Sequence, residues 1–461
     1  MKRPMTKLLF SVAVAALAFA SAAQAETPQS GASWTVKPEW VAAHEAFLAS
    51  DAANGRGSAT HDEAVAAAYV ASEFQGYGLK TAPGMDGYLQ RATIVKLRFN
   101  GTPTATIDGK TVGDPDGLKV FISPGTAVAG TLQIAPPDPQ AMSGDVVAVS
   151  DPGKTLAQNW MRAASAKGVK LLILRESDQT AELWGRLNKG TRLPTYLEDQ
   201  GPPKHAGATV IVLGAAAFDA LKAGSSFTLN LPEVIQDKMV TTNAVAFLQG
   251  SDPKAGAVLY TAHLDHFPPR PDGSIMHGAN DDASGTTAVL EIAHALANSG
   301  QPRRSIIFVC YGSEELGGFG SQYFAAHPPV PLTSIVANLE FEMIGAQDPK
   351  LPANTLMMTG FERSNLGEAL KAHGALVAAD PYPDQHFFER SDNYSLAVTG
   401  VVAHTLSGWA VVPTYHTPQD TLANLNLPFM TQAIQSLIEP ARWLANSDFT
   451  PQWKPGGQPT R

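Results

Sequence analysis

The chain has 461 residues, 44% hydrophobic and 16% charged, with a formal charge of −9 at neutral pH. That length exceeds what one ordinary core covers and predicts two domains, one interrupting the other; the acidic balance excludes nucleic acid as a partner. A single cysteine, Cys310, excludes an intrachain disulfide, and its setting in "SIIFVCYG" reads as buried apolar filling.

Lys2, Arg3 and Lys7 precede the apolar run "LLFSVAVAALAFA", which ends in "AAQA". This is the pattern of a signal peptide cleaved after Ala25, so residues 1–25 are expected to be removed and the mature protein to be periplasmic or secreted. Losing those three basic residues takes the formal charge from −9 to −12. No later stretch approaches the roughly 20 uninterrupted apolar residues of a membrane span, so no membrane partner is expected.

Two helices come next, "WVAAHEAFLAS" and "HDEAVAAAYVASEFQGYGL"; in the second, Ala64, Ala68, Ala71 and Phe74 recur at helical spacing. From about Phe99 the texture changes to short strands and turns, "TATIDGK", "LKVFIS" and "GDVVAVSD". "TLAQNWMRAASAKG" reads as a helix closed by Gly168, and "VKLLILRE" as the next strand. This stretch, 99–238, has no dense cluster of His and acidic residues and reads as an inserted β-rich module. The flanking segments 26–98 and 239–450 make one discontinuous domain, and the Pro/Gly-rich residues 451–461 a tail. From "NAVAFLQG" onward, apolar strands alternate with helices such as "TTAVLEIAHALANSG", where Val289, Ile292 and Leu296 give a buried stripe. The expected fold is α/β, with a mostly parallel or mixed central sheet covered by helices on both faces. In such sheets functional groups gather beyond the carboxyl ends of the strands.

Four patches rich in metal-ligand types follow strand-like runs. In "YTAHLDH", alternation sends His263 and Asp265 to one side, so Asp265 can hold the imidazole while a metal takes the other nitrogen. The same alternation turns His266 away, toward the surface or a supporting role. "GANDDASG" supplies Asp281 and Asp282 before a helix; in isolation it is an ordinary capped turn. "GSEELGG" supplies Glu314 and Glu315, which point differently, so one can bind metal while the other faces a water as general base; alone it is a solvated acidic turn. In "NLEFEMIG", Glu340 and Glu342 share a face of an apolar strand, where acids lack an ordinary structural reason. His416 sits in the turn "YHTPQDT". Carboxylates combined with imidazoles suit zinc, and the lack of thiolates argues against a purely structural site. Asp281, Glu315 and Glu342 with a shared hydroxide would be neutralised by two divalent ions, and without them would repel one another.

Taken in order, "HLDH", "GANDDASG", "SEELG", "FEMIG" and "YHTPQDT" resemble metallopeptidase family twenty-eight, the co-catalytic dinuclear zinc aminopeptidases, whose relatives include glutamate carboxypeptidases and glutaminyl cyclases. The resemblance covers roughly residues 240–445, and "GDVVAVSDPG" and "ASAKGVKLLIL" are similar to the protease-associated domain many exported members carry as an insertion. It implies two zinc ions, one held by His263 and Glu342, the other by Glu315 and His416, with Asp281 bridging. It further implies Glu314 as general base, Asp265 as partner of His263, Tyr415 as a stabiliser of the oxyanion, Asp420 as support for the His416 turn and a cis peptide after Asp281. The substrate would be a peptide hydrolysed from its amino end. Two departures stand out: Glu342 replaces the aspartate of many relatives, and Asn393 in "RSDNYS" stands where relatives often carry His. Three alternatives remain open. A glutaminyl cyclase would hold one zinc; a carboxypeptidase would need a basic pocket, for which Arg363, Lys371 and Arg390 are available; a receptor-like binding protein would have lost ligands.

Overall fold

The computed structural model describes residues 34–112, 117–135, 138–149, 156–187, 190–204 and 207–460; the expected signal peptide lies outside them. Nine strands form the larger sheet: β1 (Leu89–Asn100), β2 (Thr195–Leu197), β3 (Glu233–Leu248), β4 (Ala257–His263), β5 (Ser305–Tyr311), β6 (Ile335–Glu342), β7 (Leu356–Met358), β8 (Val377–Ala379) and β9 (Ala403–Ser407). Their order is β8-β7-β9-β6-β4-β5-β3-β1-β2. The central strands β9, β6, β4 and β5 run parallel. Antiparallel pairing then adds β3 beside β5 and β7 beside β9, so the sheet is mixed.

Strand β4 is buried at every position, as a parallel strand covered on both faces is. On one face Leu259, Ile307, Val309 and Tyr311 pack with Phe324, Leu396 and Ala397. On the other, Tyr260 and Phe308 meet the helices α2 (His61–Gly76) and α4 (Leu427–Asn446). Phe74 stands 6.1 Å from Phe308, and the Tyr260 hydroxyl donates to the Ala441 carbonyl at 3.5 Å. This face also carries α1 (Pro38–Leu48) and α3 (Ser284–Ala297), the latter buried along nearly its whole length. The α/β expectation thus holds in its coarse form.

Helix α2 forms where the spacing predicts it, capped by Thr60, whose hydroxyl accepts the Asp62 N–H at 3.2 Å. Its buried face differs from the predicted stripe, because Ala68 is exposed while Ala67, Val70, Ala71 and Phe74 are inside. The cause is Glu63, which occupies an interior position. Its carboxylate accepts the Ala59 and Thr242 N–H groups (2.6 and 2.8 Å) and the Thr241 and Ser313 hydroxyls (3.0 and 2.8 Å). A buried acid with four donors outweighs an alanine's preference for the core.

A second sheet of eight strands lies within 104–230, in the order Lys110–Val112, Thr104–Ile107, Ser226–Asn230, Val128–Ile134, Val146–Val149, Leu171–Arg175, Thr209–Leu213, Leu118–Ile122. The helix Leu156–Ala166 connects two of its parallel strands, and Gly168 follows at φ 70°. The boundaries at 98/99 and 238/239 fall inside paired strands: β1 and β3 are hydrogen-bonded throughout, from Leu89↔Ala244 to Asn100↔Glu233. β2 lies within 99–238 yet pairs with β1 in the larger sheet. The end of the chain is packed on the larger domain, with Trp453 bridging Ser364 and donating its indole N–H to Gly400 at 3.0 Å.

His404 in β9 makes stability sensitive to acid. Its Nδ1–H donates to the Thr359 carbonyl at 2.9 Å and its Nε2 accepts the Ser364 hydroxyl at 2.7 Å. Burial depresses its pKa from 6.5 to about 4. The folded imidazole therefore stays neutral where the unfolded one takes a proton, so this contribution is complete above about pH 6.5 and drains away as pH falls toward 4. At pH 5 the loss is about 2 kcal/mol. Chemical denaturation at pH 7 and pH 5 should show this fall in the wild type and a smaller one in His404→Gln; parallel curves would contradict the assignment.

Candidate metal centre

The parallel strands bring the ligand types to one rim. β4 ends on His263, β5 runs through Gly312 and Ser313 into Glu314 and Glu315, and β6 ends on Glu342. The loop after β9 delivers Tyr415 and His416, and the segment before α3 delivers Asp281. His263 Nε2 lies 3.3 Å from Asp281 Oδ1. His416 Nε2 lies 3.1 Å from Asp281 Oδ2 and 3.2 Å from Glu315 Oε1. Glu342 offers an oxygen within 4.8 Å of the His263 and Asp281 ligand atoms. All five expected ligands thus converge around Asp281.

Each acidic doublet divides its labour. Asp282 turns its carboxylate into the protein, where it accepts the N–H groups of Gly285 (2.9 Å), Met343 (2.9 Å) and His263 (3.3 Å). It thereby ties together the end of β4, the start of α3 and the residue after Glu342. The Asp281–Asp282 peptide is cis, as the resemblance implied. In the other doublet Glu315 joins the cluster, while Glu314 lines the pocket beside it. Burial pushes the Glu314 carboxyl well above the ordinary carboxylate range, and Asp392, Glu315 and Glu342 push the same way against the opposing pull of His263. Burial would raise Asp281 as well, but the imidazoles of His263 and His416 outweigh it and hold that carboxyl well below its usual value.

Three sequence expectations need correction. The Asp265 carboxylate is 3.7 Å from His263 Nδ1, and it is the Asp265 backbone carbonyl, at 3.1 Å, that takes the imidazole proton. The carboxylate instead accepts the Ser58 hydroxyl (2.5 Å) and the Glu314 and Glu315 N–H groups (2.9 and 3.4 Å), fixing the turn that carries both glutamates. The strand ends at His263, so alternation does not extend to residue 265. For the same reason His266 is neither turned away nor at the surface. It is fully buried, with Nδ1 2.9 Å from Glu315 Oε1. Asp420 supports Asp281 rather than the His416 turn, its two oxygens accepting the Asn280 and Asp281 N–H groups at 2.8 and 3.0 Å.

Glu340 stands apart from the cluster. It accepts the Ser391 and Thr405 hydroxyls (2.7 and 2.9 Å) and the Asp392 and Asn393 N–H groups (3.2 and 2.5 Å), anchoring the "RSDNYS" loop at the pocket. Sequence reasoning passed over Asp282 as a structural brace, although a doublet at a helix start signals it. It also passed over Arg56, whose guanidinium is buried among backbone carbonyls of the two ligand loops.

The donor set fits divalent cations. His263 Nε2, His266 Nδ1, Asp281 Oδ2 and Glu315 Oε1 are buried and have no hydrogen-bond partner, although opposite types lie about 3 Å apart. Orphaned buried polar atoms are costly, and a cation between them removes that cost. Three carboxylates beside imidazoles in one buried cluster need positive charge. Above the cluster a pocket is lined by Glu314, Met357, Phe387, Arg390 and Tyr415. Tyr415 stacks on His416 at 3.7 Å, and burial raises its phenol pKa, keeping it a proton donor. Of the three cations considered for a carboxylate pocket, Arg390 lines it; Arg363 lies over Phe388, and Lys371 is exposed.

Residues 243–439 match the profile of Peptidase family M28. The leupeptin-inactivating enzyme 1 of Streptomyces exfoliatus is 33% identical over 141 residues, covering 29% of this chain and 30% of the relative. The chain spans less than a third of the length of the curated relatives it matches first, 22%, 21% and 30% of them. Among solved structures, an aminopeptidase from Aneurinibacillus sp. strain AM-1 superposes with a TM-score of 0.57 at 19% identity, covering 89% of this chain and 94% of that one. A zinc aminopeptidase from Bacillus subtilis gives 0.53 at 20% identity, over 88% and 95%. At such identities the likeness is one of fold.

Proposed function

The chain belongs to Peptidase family M28 through residues 243–439, and from that premise we propose that it is an exported zinc aminopeptidase acting on peptides with a free amino terminus. The observation that carries this reading is the set of buried, unpartnered ligand atoms converging on Asp281 directly beneath the pocket that Glu314 lines. His263 and Glu342 would hold one zinc ion, and Glu315 and His416 the other, with Asp281 shared between them. Bound there, the ions supply Lewis acidity, which polarises a scissile carbonyl and brings a water's pKa toward neutrality.

The chain's own residues do the rest. Glu314 takes the proton of the attacking water and passes it to the leaving amine, which its place in the lining of the pocket allows. Asp265 holds the Glu314 backbone so that the carboxylate faces the pocket. Tyr415 donates its hydroxyl proton to the oxygen that gains charge. Met343, Met357 and Phe387 line the same pocket, which favours an apolar first residue. Residues 99–238 are taken as a protease-associated-like insertion, and the signal peptide sends the protein to the periplasm or beyond. Among the described residues no helix is long and apolar enough to cross a membrane.

Arg390 at the pocket favours a second reading, capture of a substrate carboxylate as a carboxypeptidase would need. A panel separates the two. Aminoacyl anilides and peptide amides with a free amino end should be cleaved, N-acetylated peptides with a free carboxyl end should not, and a chelator should abolish turnover. Cleavage of the acetylated set alone would establish the second reading instead.

A further inference from the structure

We infer that Leu197 is a positioning residue for the turn of Glu314 and Glu315, so that the segment carrying the second sheet takes part in holding the catalytic base. The inference rests on the metallopeptidase reading above and gives residues 99–238 a part in that reaction. The segment lends one strand to the larger sheet: β2 has three residues, stands last in the strand order and pairs with β1 at Ile94↔Leu197. Backbone bonds fasten it on either side, from the Glu198 N–H to the Thr93 carbonyl (2.9 Å) and from the Leu97 N–H to the Pro194 carbonyl (3.1 Å). So short an edge strand adds little to the sheet by pairing alone. Thr195 and Tyr196 are half-buried, whereas Leu197 is 2% exposed. What the strand delivers is that one side chain.

Leu197 joins Ala92, Ile94 and Phe319 in a small core of its own, against which Leu316 and Ala59 pack. Leu316 follows Glu315 directly, and Phe319 opens the helix Phe319–Ala326, so both apolar anchors of the glutamate turn lie in this core. The turn has little stiffness of its own. Gly317 and Gly318, at φ 131° and 70°, each donate an N–H to the Glu314 carbonyl at 2.8 Å, and glycine takes such angles freely. Hydrogen bonds pin parts of it. Asn243 accepts the Gly312 N–H and donates to the Gly320 carbonyl, both at 3.0 Å, and Asp265 receives the two glutamate N–H groups. Asp265 is itself held by Ser58, the neighbour of Ala59, so the same core underlies the loop that steadies the middle of the turn. Removing the Leu197 side chain leaves a cavity that the surroundings fill only in part. Leu316 and Phe319 then settle toward it and take the Glu314 carboxylate with them. A reacting group displaced by about 1 Å loses on the order of 100-fold in rate. Substrate binding is spared, because Met343, Met357 and Phe387 of the pocket lining come from other elements.

Paired leucine truncations in the full chain, assayed on an apolar aminoacyl anilide with saturating zinc, provide the test. Leu197→Ala should lower kcat by about 10- to 100-fold and leave KM within about twofold. The amides of 312–320 should exchange with deuterium at least about 10-fold faster in it, a readout that needs no turnover. Leu197→Met, which refills the volume, should return both values to within about threefold of the wild type. Leu171→Ala makes the same truncation inside the second sheet, where Leu171 is fully buried, and should leave kcat and the exchange of 312–320 unchanged. If Leu197→Ala does not fold, Leu197→Val carries the same comparison with a loss of about threefold. Wild-type kcat or wild-type exchange of the turn in the truncated protein overturns the inference. Equal losses in Leu171→Ala overturn it too, since the segment would then merely be loosened. A wild type that cleaves no peptide would sink the peptidase reading, whatever the exchange shows. A wild type that turns over, with a turn indifferent to Leu197, would sink the inference alone.

Discussion

Glu314→Gln should lower kcat by about 10³- to 10⁴-fold while leaving metal content as in the wild type. Glutamine keeps the side chain's shape and the backbone hydrogen bond to Asp265, which involves only the Glu314 N–H. It removes the one property the reaction needs, the capacity to take a proton from water and return it to the leaving amine. The ligand atoms around Asp281 come from Glu315 and Glu342, not from Glu314, so the cations have no reason to leave. KM should change little, since the loss falls on the transition state rather than on ground-state binding. The neighbouring change gives the opposite pattern: Glu315→Gln should lose metal first and activity as a consequence. Turnover and metal analysis on the two variants separate the roles. Near-normal turnover in Glu314→Gln would remove it as the base, and loss of metal from that variant would make it a ligand.

The contrast between these neighbours shows what the sequence can carry. The two members of an acidic doublet after a parallel strand point different ways, so adjacency raises the expectation of one ligand and one base, and it is the resemblance that says which is which. The rim is legible too, because β4, β5, β6 and β9 run parallel and each motif follows its strand. What lay beyond reading was the chain's path after a strand stops. His263 is the last residue of β4, and the positions of Asp265 and His266 are then set by residues 56–58, some two hundred residues earlier. Periodicity cannot describe such a segment, since it is the partner loop and not the local backbone that aims the side chains. The rotated face of α2 has the same origin: Glu63 is inside because Thr241, Thr242 and Ser313 are there to receive it. Likewise the module boundaries fall inside β1 and β3, because a continuous antiparallel ribbon leaves no compositional trace where one sheet gives way to the other.

Arg56→Met should cost on the order of 3–5 kcal/mol of unfolding free energy in the metal-free protein. The guanidinium is fully buried, and its hydrogen-bond partners are all backbone carbonyls: Leu264 (2.8 Å), His277 (2.7 Å), Gly278 (2.9 Å) and Leu48. It thus ties the loop of Asp265 and His266 to the segment leading into Asp281, and both to the end of α1. The local backbone is bent to deliver it. Arg56 itself sits at φ 52°, in a region that disfavours a side-chain-bearing residue by roughly 1–2 kcal/mol, and the clamp outweighs that cost. Next to it Gly57 lets the chain pass against Pro268, whose atoms would lie 2.8 Å from any Cβ placed there. Methionine fills a similar volume but leaves the Leu48, Leu264 and His277 carbonyls without this donor, at a cost of about 1–3 kcal/mol each where water cannot reach, while the Gly278 carbonyl keeps the Ala283 N–H at 3.1 Å. Lysine restores the charge with three donors at one point instead of a planar fork, so Arg56→Lys should lie between the two. Urea denaturation after chelation measures the loss free of any metal contribution, and an Arg442→Met control, altering an exposed pair with Glu439, should move by less than about 0.5 kcal/mol. If Arg56→Met unfolds at the same urea concentration as the wild type, the ligand loops are held by something other than this clamp.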